Sequence, residues 1–438
     1  MDIKTIKTIE SATEKSLSSF AKLSFSLLFL LAVFLWTYSS HGKVPDNTFL
    51  IIGAIFGAYM ALNIGANDVA NNVGPAVGAR ALTLTGAIII AAIFESAGAI
   101  IAGGDVVNTI KSGIINPNLI TDKNSFIWAM TAGLLAGAVW LNFATSIGAP
   151  VSTTHAIVGG VMGAGIASAG FSILNWGSLA EIASSWVISP LLGGIVAAGF
   201  LYFIKKQIVY KENMIEQAQK FVPILIAIMT WAFTTYLILK GLKQLVNISF
   251  LFASGISLLF AFVAYYITKK SIDKNLSNLS NDRSSVNKLF TPALIFGAAL
   301  LSFAHGANDV SNAIGPLAAI NDAIMHGGTS VKASVPFWIM VVGAIGIVIG
   351  LILYGPRLIK TVGSEITELD QMRAFSVAMA TAVTVIIASQ MGLPVSSTHI
   401  AIGGVFGVGF LREALDMTEK NYVQDIREKF KKHKKELE

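Results

Sequence analysis

Apolar stretches long enough to cross, or partly cross, a bilayer recur from one end of the chain to the other. They fall at residues 24–41, 48–64, 81–103, 126–147, 155–172, 182–204, 221–240, 247–268, 290–304, 335–355, 373–391 and 398–412. No other feature narrows the fold as much. In hydrocarbon every backbone N–H and C=O must be satisfied within the protein, so a spanning chain is either helical or a closed barrel. Barrel strands are short and alternate in polarity; these runs do neither. Composition agrees, because only 13% of the 438 residues are charged, against about 25% in a soluble domain. The expectation is an all-α polytopic membrane protein of about twelve transmembrane helices. Several runs are short or carry Gly and Pro, so broken and re-entrant segments are expected among them. The first run, Ser24–Tyr38, reads as a retained helix, since further spans follow and no small-residue cleavage pattern is evident.

The remaining composition excludes more than it suggests. A net charge of +6 comes from loops and tails and gives no reason to expect nucleic acid as a partner. The absence of cysteine excludes disulfides, thiolate metal sites and thiol catalysis. Two polar connections flank the runs at 221–240 and 247–268. One carries Lys205, Lys206, Lys211 and Lys220; the other carries Lys269, Lys270, Lys274, Arg283 and Lys288, with a flexible-looking Asn/Ser-rich stretch at 275–285. Only Glu212, Glu216, Asp273 and Asp282 oppose them. Two spans separate these loops, so they share a side. The positive-inside rule makes residues 205–220 and 269–289 cytoplasmic; the membrane expected is the inner cell membrane. The charged tail at 413–438 reads as a solvated helix.

Two motifs occur twice, in the same order. "GANDVANNVGP" at Gly65–Pro75 returns as "GANDVSNAIGP" at Gly306–Pro316, and "PVSTTHAIVGG" at Pro150–Gly160 returns as "PVSSTHIAIGG" at Pro394–Gly404. The offsets are 241 residues (Asp68 to Asp309) and 244 (His155 to His399). Near-equal offsets mark an internal duplication. The chain divides into 1–44 (a surface helix and first span), 45–204 (repeat 1), 205–289 (central spans and loops), 290–412 (repeat 2) and 413–438. In membranes, duplicated halves with interrupted segments at matching places point to a transporter whose site lies at their interface.

An aspartate at membrane depth costs a few kcal/mol unless partnered. Asp68 and Asp309 have no neighbouring cation repeated in both copies. With Asn67 and Asn308 they offer carboxylate and amide oxygens, a ligand set for hard cations; capping a helix is the alternative reading. Gly65, Gly74, Gly306 and Gly315, with Pro75 and Pro316, are expected to interrupt the helices and free backbone carbonyls for the ion. Asn71 and Asn312 lie one helical turn beyond Asn67 and Asn308, on the same face. The second motif suits the opposite charge. Pro150 and Pro394 precede hydroxyl clusters at a helix start, Ser152, Thr153, Thr154 and Ser396, Ser397, Thr398, where backbone N–H groups and the helix dipole favour an anion. Ser and Thr also bond helices together in membranes, which is the alternative here. His155 and His399 end the clusters, either orienting nearby backbone or contacting the ligand. Two aspartates and an oxyanion would repel one another, by about 4 kcal/mol per pair at 4 Å and an effective dielectric near 20. Bound cations must compensate, and an oxygen-only ligand set favours sodium. The clusters lack a nucleophile elbow, so they do not read as an enzyme.

These four motifs resemble the duplicated signatures of the PiT family of inorganic phosphate transporters, over roughly residues 45–175 and 290–412. The resemblance implies two inverted repeats and sodium-coupled symport of inorganic phosphate by alternating access around a midplane site. Proton-coupled phosphate or sulfate symport, also found in the family, is the alternative. It further implies that Asn67, Asp68, Asn308 and Asp309 bind ion and substrate together with the hydroxyl clusters, sodium serving as coupling ion and no cofactor being needed. Glu95 matches a family glutamate, which makes it a sodium ligand; a helix–helix hydrogen bond is the other reading. A second family glutamate falls where this chain has Ala378. A homodimer in the lipid bilayer completes the expectation.

Overall fold

The computed structural model describes residues 3–44, 47–116, 119–120, 122–241, 248–275, 279–326, 335–364 and 369–437. Residues 276–278 of the Asn/Ser-rich stretch therefore lie outside the described residues. The described residues form helices joined by turns and short loops: α1 (Ile3–His41), α2 (Asn47–Asn67), α3 (Val69–Gly78), α4 (Leu84–Ala102), α5 (Gly104–Asn108), α6 (Lys123–Ile147), α7 (Thr153–Ala169), α8 (Trp176–Ile204), α9 (Met214–Gly241), α10 (Phe250–Asn275), α11 (Arg283–Leu289), α12 (Thr291–His326), α13 (Phe337–Ser364), α14 (Gln371–Gln390) and α15 (Ser397–Leu437). Among the described residues, ten helical segments are long and apolar enough to span a bilayer. The other two apolar runs are α7 and the first part of α15. The all-α, polytopic expectation holds.

The halves are related by inversion. Gly53 of α2 faces Ile320 of α12, and Gly57 faces Ala313 and Leu317, so the two motif helices run antiparallel. Their flanking contacts then exchange: α2 packs on α13, and α12 packs on α4. A Cβ on Gly65 would lie 1.8 Å from the carbonyl oxygen of Ile347, and one on Gly306 would lie 2.2 Å from that of Glu95. Glycine is needed at both crossings because nothing larger fits between the two backbones.

That use of glycine overturns one expectation. The chain does break in the first copy, at Asp68 between α2 and α3, yet Asp68 N–H still donates to Ile64 O at 2.9 Å. In the second copy α12 runs unbroken through the whole motif and contains Pro316. The glycines bring helices into contact rather than unwinding them, and tertiary packing holds the helical hydrogen bonds in place.

Each repeat also contains a helical hairpin. α6 turns at Gly148 into α7, and α14 turns at Gly392 into α15; both glycines have positive φ, 79° and 70°. They are 244 residues apart, the offset of the motifs they precede, so the left-handed turn was duplicated with them. Ser152 and Ser396 then cap α7 and α15, accepting from the backbone N–H groups of His155 and His399 at 3.1 and 3.2 Å.

Contacts at the ends of the helices assign them to sides. Arg283 pairs with Asp370 at 2.9 Å, which puts the α13–α14 connection on the side of the basic central loops. α1 runs antiparallel to α13, with the Trp36 ring tilted against Trp338 and Ser26 bonded to Tyr354. Lys22 of α1 is therefore at the same side as the central loops.

Candidate functional site

The motif asparagines hold the hairpin tips. Asn67 donates from Nδ2 to Thr145 Oγ1 and Ala149 O, both at 3.0 Å, and accepts at Oδ1 from the N–H of Val151. Asn308 repeats the pattern with Ser389 Oγ, Leu393 O and Val395 N–H. Each amide spans the turn that leads into the hydroxyl cluster of its own repeat. Both side chains are wholly buried.

With the tips pinned, the two hydroxyl clusters meet the two aspartates. Thr153 donates to Asp68 Oδ2 at 2.6 Å, and Thr398, from the other repeat, donates to Asp68 Oδ1 at 3.0 Å. Ser397 donates to Asp309 Oδ2 at 3.2 Å. The second asparagines cross between halves: Asn71 donates to Thr398 at 2.8 Å, while Asn312 donates to Thr153 and Thr154 at 3.2 and 3.1 Å. Thr154 closes the joint by donating to Val395 O at 2.9 Å. The rings of His155 and His399 meet across the same axis, their centroids 4.7 Å apart, and His155 also packs on Trp186. The motif carboxylates, amides and hydroxyls are all buried, so the site is enclosed from both faces.

Glu95 lies at this site and breaks its twofold pattern. It accepts from Asn72 Nδ2 at 2.6 Å and sits 2.8–2.9 Å from His305 Nδ1. The other ring nitrogen of His305 lies 2.7 Å from Asp309 Oδ2, off the line of a good hydrogen bond, and 4.0 Å from Asp68. His305 thus joins all three carboxylates from a single fully buried ring. Sequence reasoning gave it no role. The signal was there: it stands one turn before Asp309, where the first copy has apolar Ile64. It is a buried titratable group, immediately beside a duplicated motif, with no counterpart in the other copy.

Among the described residues no Lys or Arg pairs with Asp68, Glu95 or Asp309. Asp68, His305 and Asp309 present ligand atoms that all lie within 4.8 Å of one another. Asp309 Oδ1, Asn312 Oδ1 and Asn72 Oδ1 are buried and have no donor among the described residues. Buried oxygens without donors are costly unless something positive meets them. The chemistry is that of a cation pocket lined by oxygen and one imidazole, with hydroxyls and two helix N-termini beside it for an anion. Lys111 and Asp322 form a separate buried pair further along α12.

An inverted helical repeat enclosing charged groups at its joint defines a membrane transporter. The profile of the Phosphate transporter family matches residues 64–429. A "Putative phosphate permease" of Helicobacter pylori is 53% identical over 98% of this chain and 81% of its own length. One from Haemophilus influenzae is 39% identical over 84% and 89%. A solved structure described as "The sodium-dependent phosphate transporter" superposes with a TM-score of 0.79 at 36% identity, covering 86% of this chain and 93% of that one. The chain belongs to the phosphate transporter family; it is a multi-pass membrane protein that carries phosphate, and not an enzyme.

Proposed function

We propose that this transporter is a sodium/phosphate symporter that works by alternating access around the Asp68–Asp309 site. The observation that carries the reading is three buried carboxylates and three donorless oxygens meeting at one joint, with His305 between them and no Lys or Arg paired to them among the described residues. Sodium ions ligated by Asp68, Asp309, Glu95 and the free oxygens of Asn72 and Asn312 would supply the missing charge. Phosphate would then be held by Thr153, Thr154, Ser397 and Thr398 and by the N-termini of α7 and α15, with Ser152 and Ser396 capping those helices. Asn67 and Asn308 act by positioning the tips. Without sodium the anion meets uncompensated carboxylates, so the two bind together. The sodium-dependent neighbour, named for its ion, points the same way. No cofactor is needed.

In this reading the basic loops at 205–220 and 269–289 face the cytoplasm, as the positive-inside rule favours, and the protein resides in the inner membrane. Arg412 and Asp416 of α15 lie within electrostatic range of Lys205, so the C-terminal tail shares the cytoplasmic side with the N-terminal end of α1. A homodimer belongs to the same reading; a mass measurement of the protein in nanodiscs decides it. The main test is uptake of labelled phosphate into proteoliposomes under separately imposed sodium and proton gradients. Uptake should follow sodium. Undiminished uptake with choline in place of sodium would refute the coupling, and uptake that follows only the proton gradient would assign the coupling to protons.

A further inference from the structure

A second polar space lies apart from this site. Between α1, α2, α6 and α13, on the side of the central loops, the helices enclose a cavity of about 540 Å³. Lys22 and Arg357 reach it from α1 and α13, with Tyr59, Tyr354 and Asn63 between them and leucines toward the lipid. Among the described residues no carboxylate lines it, and neither Lys22 nor Arg357 has a carboxylate partner. Lys22 Nζ stands 6.0 Å from the centre of the Tyr354 ring, and Arg357 Nη1 donates to Ser146 O at 3.3 Å. The other guanidinium donors are left for a ligand. A second, more open hollow shares Arg357 and adds Lys360.

The duplication does not require this space. The helix that packs on α12 and α4 as α1 packs on α2 and α13 is α9, from the central segment. There Phe233 and Tyr236 close on Phe303 with ring centroids 5.2 and 6.1 Å apart. Phe303 is the repeat mate of Leu62, which lines the cavity. One half has filled the position with aromatic rings; the other has left it open and furnished it with two cations.

We propose that this cavity is a binding site for a phosphate-bearing anion, held by Lys22 and Arg357. A bidentate guanidinium and an ammonium across a partly apolar pocket suit a phosphate group. That group can belong to free inorganic phosphate leaving the transporter or to the headgroup of an anionic lipid whose chains lie along the leucines. Either would act on transport directly, because the inner wall includes Thr145, the hydroxyl that accepts from Asn67 at the tip of the first hairpin.

The chain has no cysteine, so Asn142→Cys on the cavity wall can carry the sole fluorophore in full-length protein. It is titrated in detergent with inorganic phosphate against chloride at constant ionic strength, and separately with short-chain phosphatidylglycerol against phosphatidylcholine. A saturable change is expected with at least one anion. Its midpoint should rise about tenfold or more in Lys22→Gln/Arg357→Gln, as loss of charge-assisted contacts predicts, while Lys22→Arg keeps it. A response to phosphate alone assigns a substrate vestibule; a response to phosphatidylglycerol alone assigns a lipid site. No response, a response equal to that of the controls, or one unchanged in the double variant overturns the proposal. Asp309→Asn should impair uptake yet leave this signal; if it abolishes the signal, the fluorophore reports the central site and the proposal falls.

Discussion

Replacing Asp68 by Asn tests the central electrostatic argument, because the side chain keeps its shape and one oxygen but loses its charge. A monovalent cation about 4 Å from a carboxylate gains about 4 kcal/mol at an effective dielectric near 20. The retained amide oxygen still ligates, and Asp309, with its ligand atom within 4.8 Å, feels less repulsion once its neighbour is neutral. Roughly half the gross value should survive these offsets. About 2 kcal/mol corresponds to roughly a 30-fold rise in the sodium concentration giving half-maximal phosphate uptake. The same change removes a negative charge from the path of the anion, so phosphate binding without sodium should tighten. Two opposite shifts from one substitution are hard to obtain by misfolding. The assay is labelled-phosphate uptake in proteoliposomes across a sodium series balanced with choline, paired with phosphate binding to purified protein in sodium-free buffer. If Asp68→Asn and Asp309→Asn both leave the sodium midpoint within about twofold of wild type, a change too small for the loss of a ligating charge, the charge-compensation reading is wrong.

Other consequences follow from the same geometry. Thr153→Val removes the 2.6 Å donor to Asp68 and an acceptor of Asn312; with a net hydrogen bond to a charged group contributing about 1.5–3 kcal/mol, the apparent KM for phosphate should rise at least tenfold, read from initial uptake rates. Gly306→Ala would press a methyl group against the Glu95 carbonyl, and overpacking of this kind costs about 1–3 kcal/mol, so its Tm in detergent should fall. Gly163→Ala on α7, with nothing within 4 Å, should leave Tm unchanged or raise it, because Ala is the better helix former; equal Tm values for the two variants would contradict the packing account. At the start of α14, burial alone would raise the pKa of Asp370, but hydrogen bonds from Arg373 and the charges of Arg373 and Arg283 outweigh it and hold the carboxyl below its usual range. A carboxyl depressed in the folded state adds stability above its unfolded pKa, near 3.9, and loses it as pH falls through the lower folded value. Asp370→Asn should therefore lower Tm at pH 7, and the gap from wild type should narrow below about pH 3.9 and close once pH is below the lower folded value; a gap that persists in strong acid would rule out the charge as its source.

Much of this protein was legible before any coordinates. Apolar runs and the bilayer's demand for satisfied backbone groups fixed the helical class, and the repeated pairs of motifs fixed the duplication and named Asp68, Asp309 and the two hydroxyl clusters. Such inferences need only local composition and spacing. The inversion of the halves depended on α2 and α12 crossing antiparallel, which no local pattern encodes. The glycines at 65 and 306 were visible, but whether they unwind a helix or admit a neighbouring backbone depends on what lies opposite, here Ile347 and Glu95. For the same reason Asn67 and Asn308, plausible as ligands by residue type, turned out to be occupied by the hairpin turns some 80 residues downstream in sequence. His305 was hidden because its partners come from α4 and from both motif helices at once. Sequence determined which chemistry is present and that it occurs twice; only tertiary packing decided which groups face one another, because contacts between distant helices are set by crossing geometry rather than by periodicity.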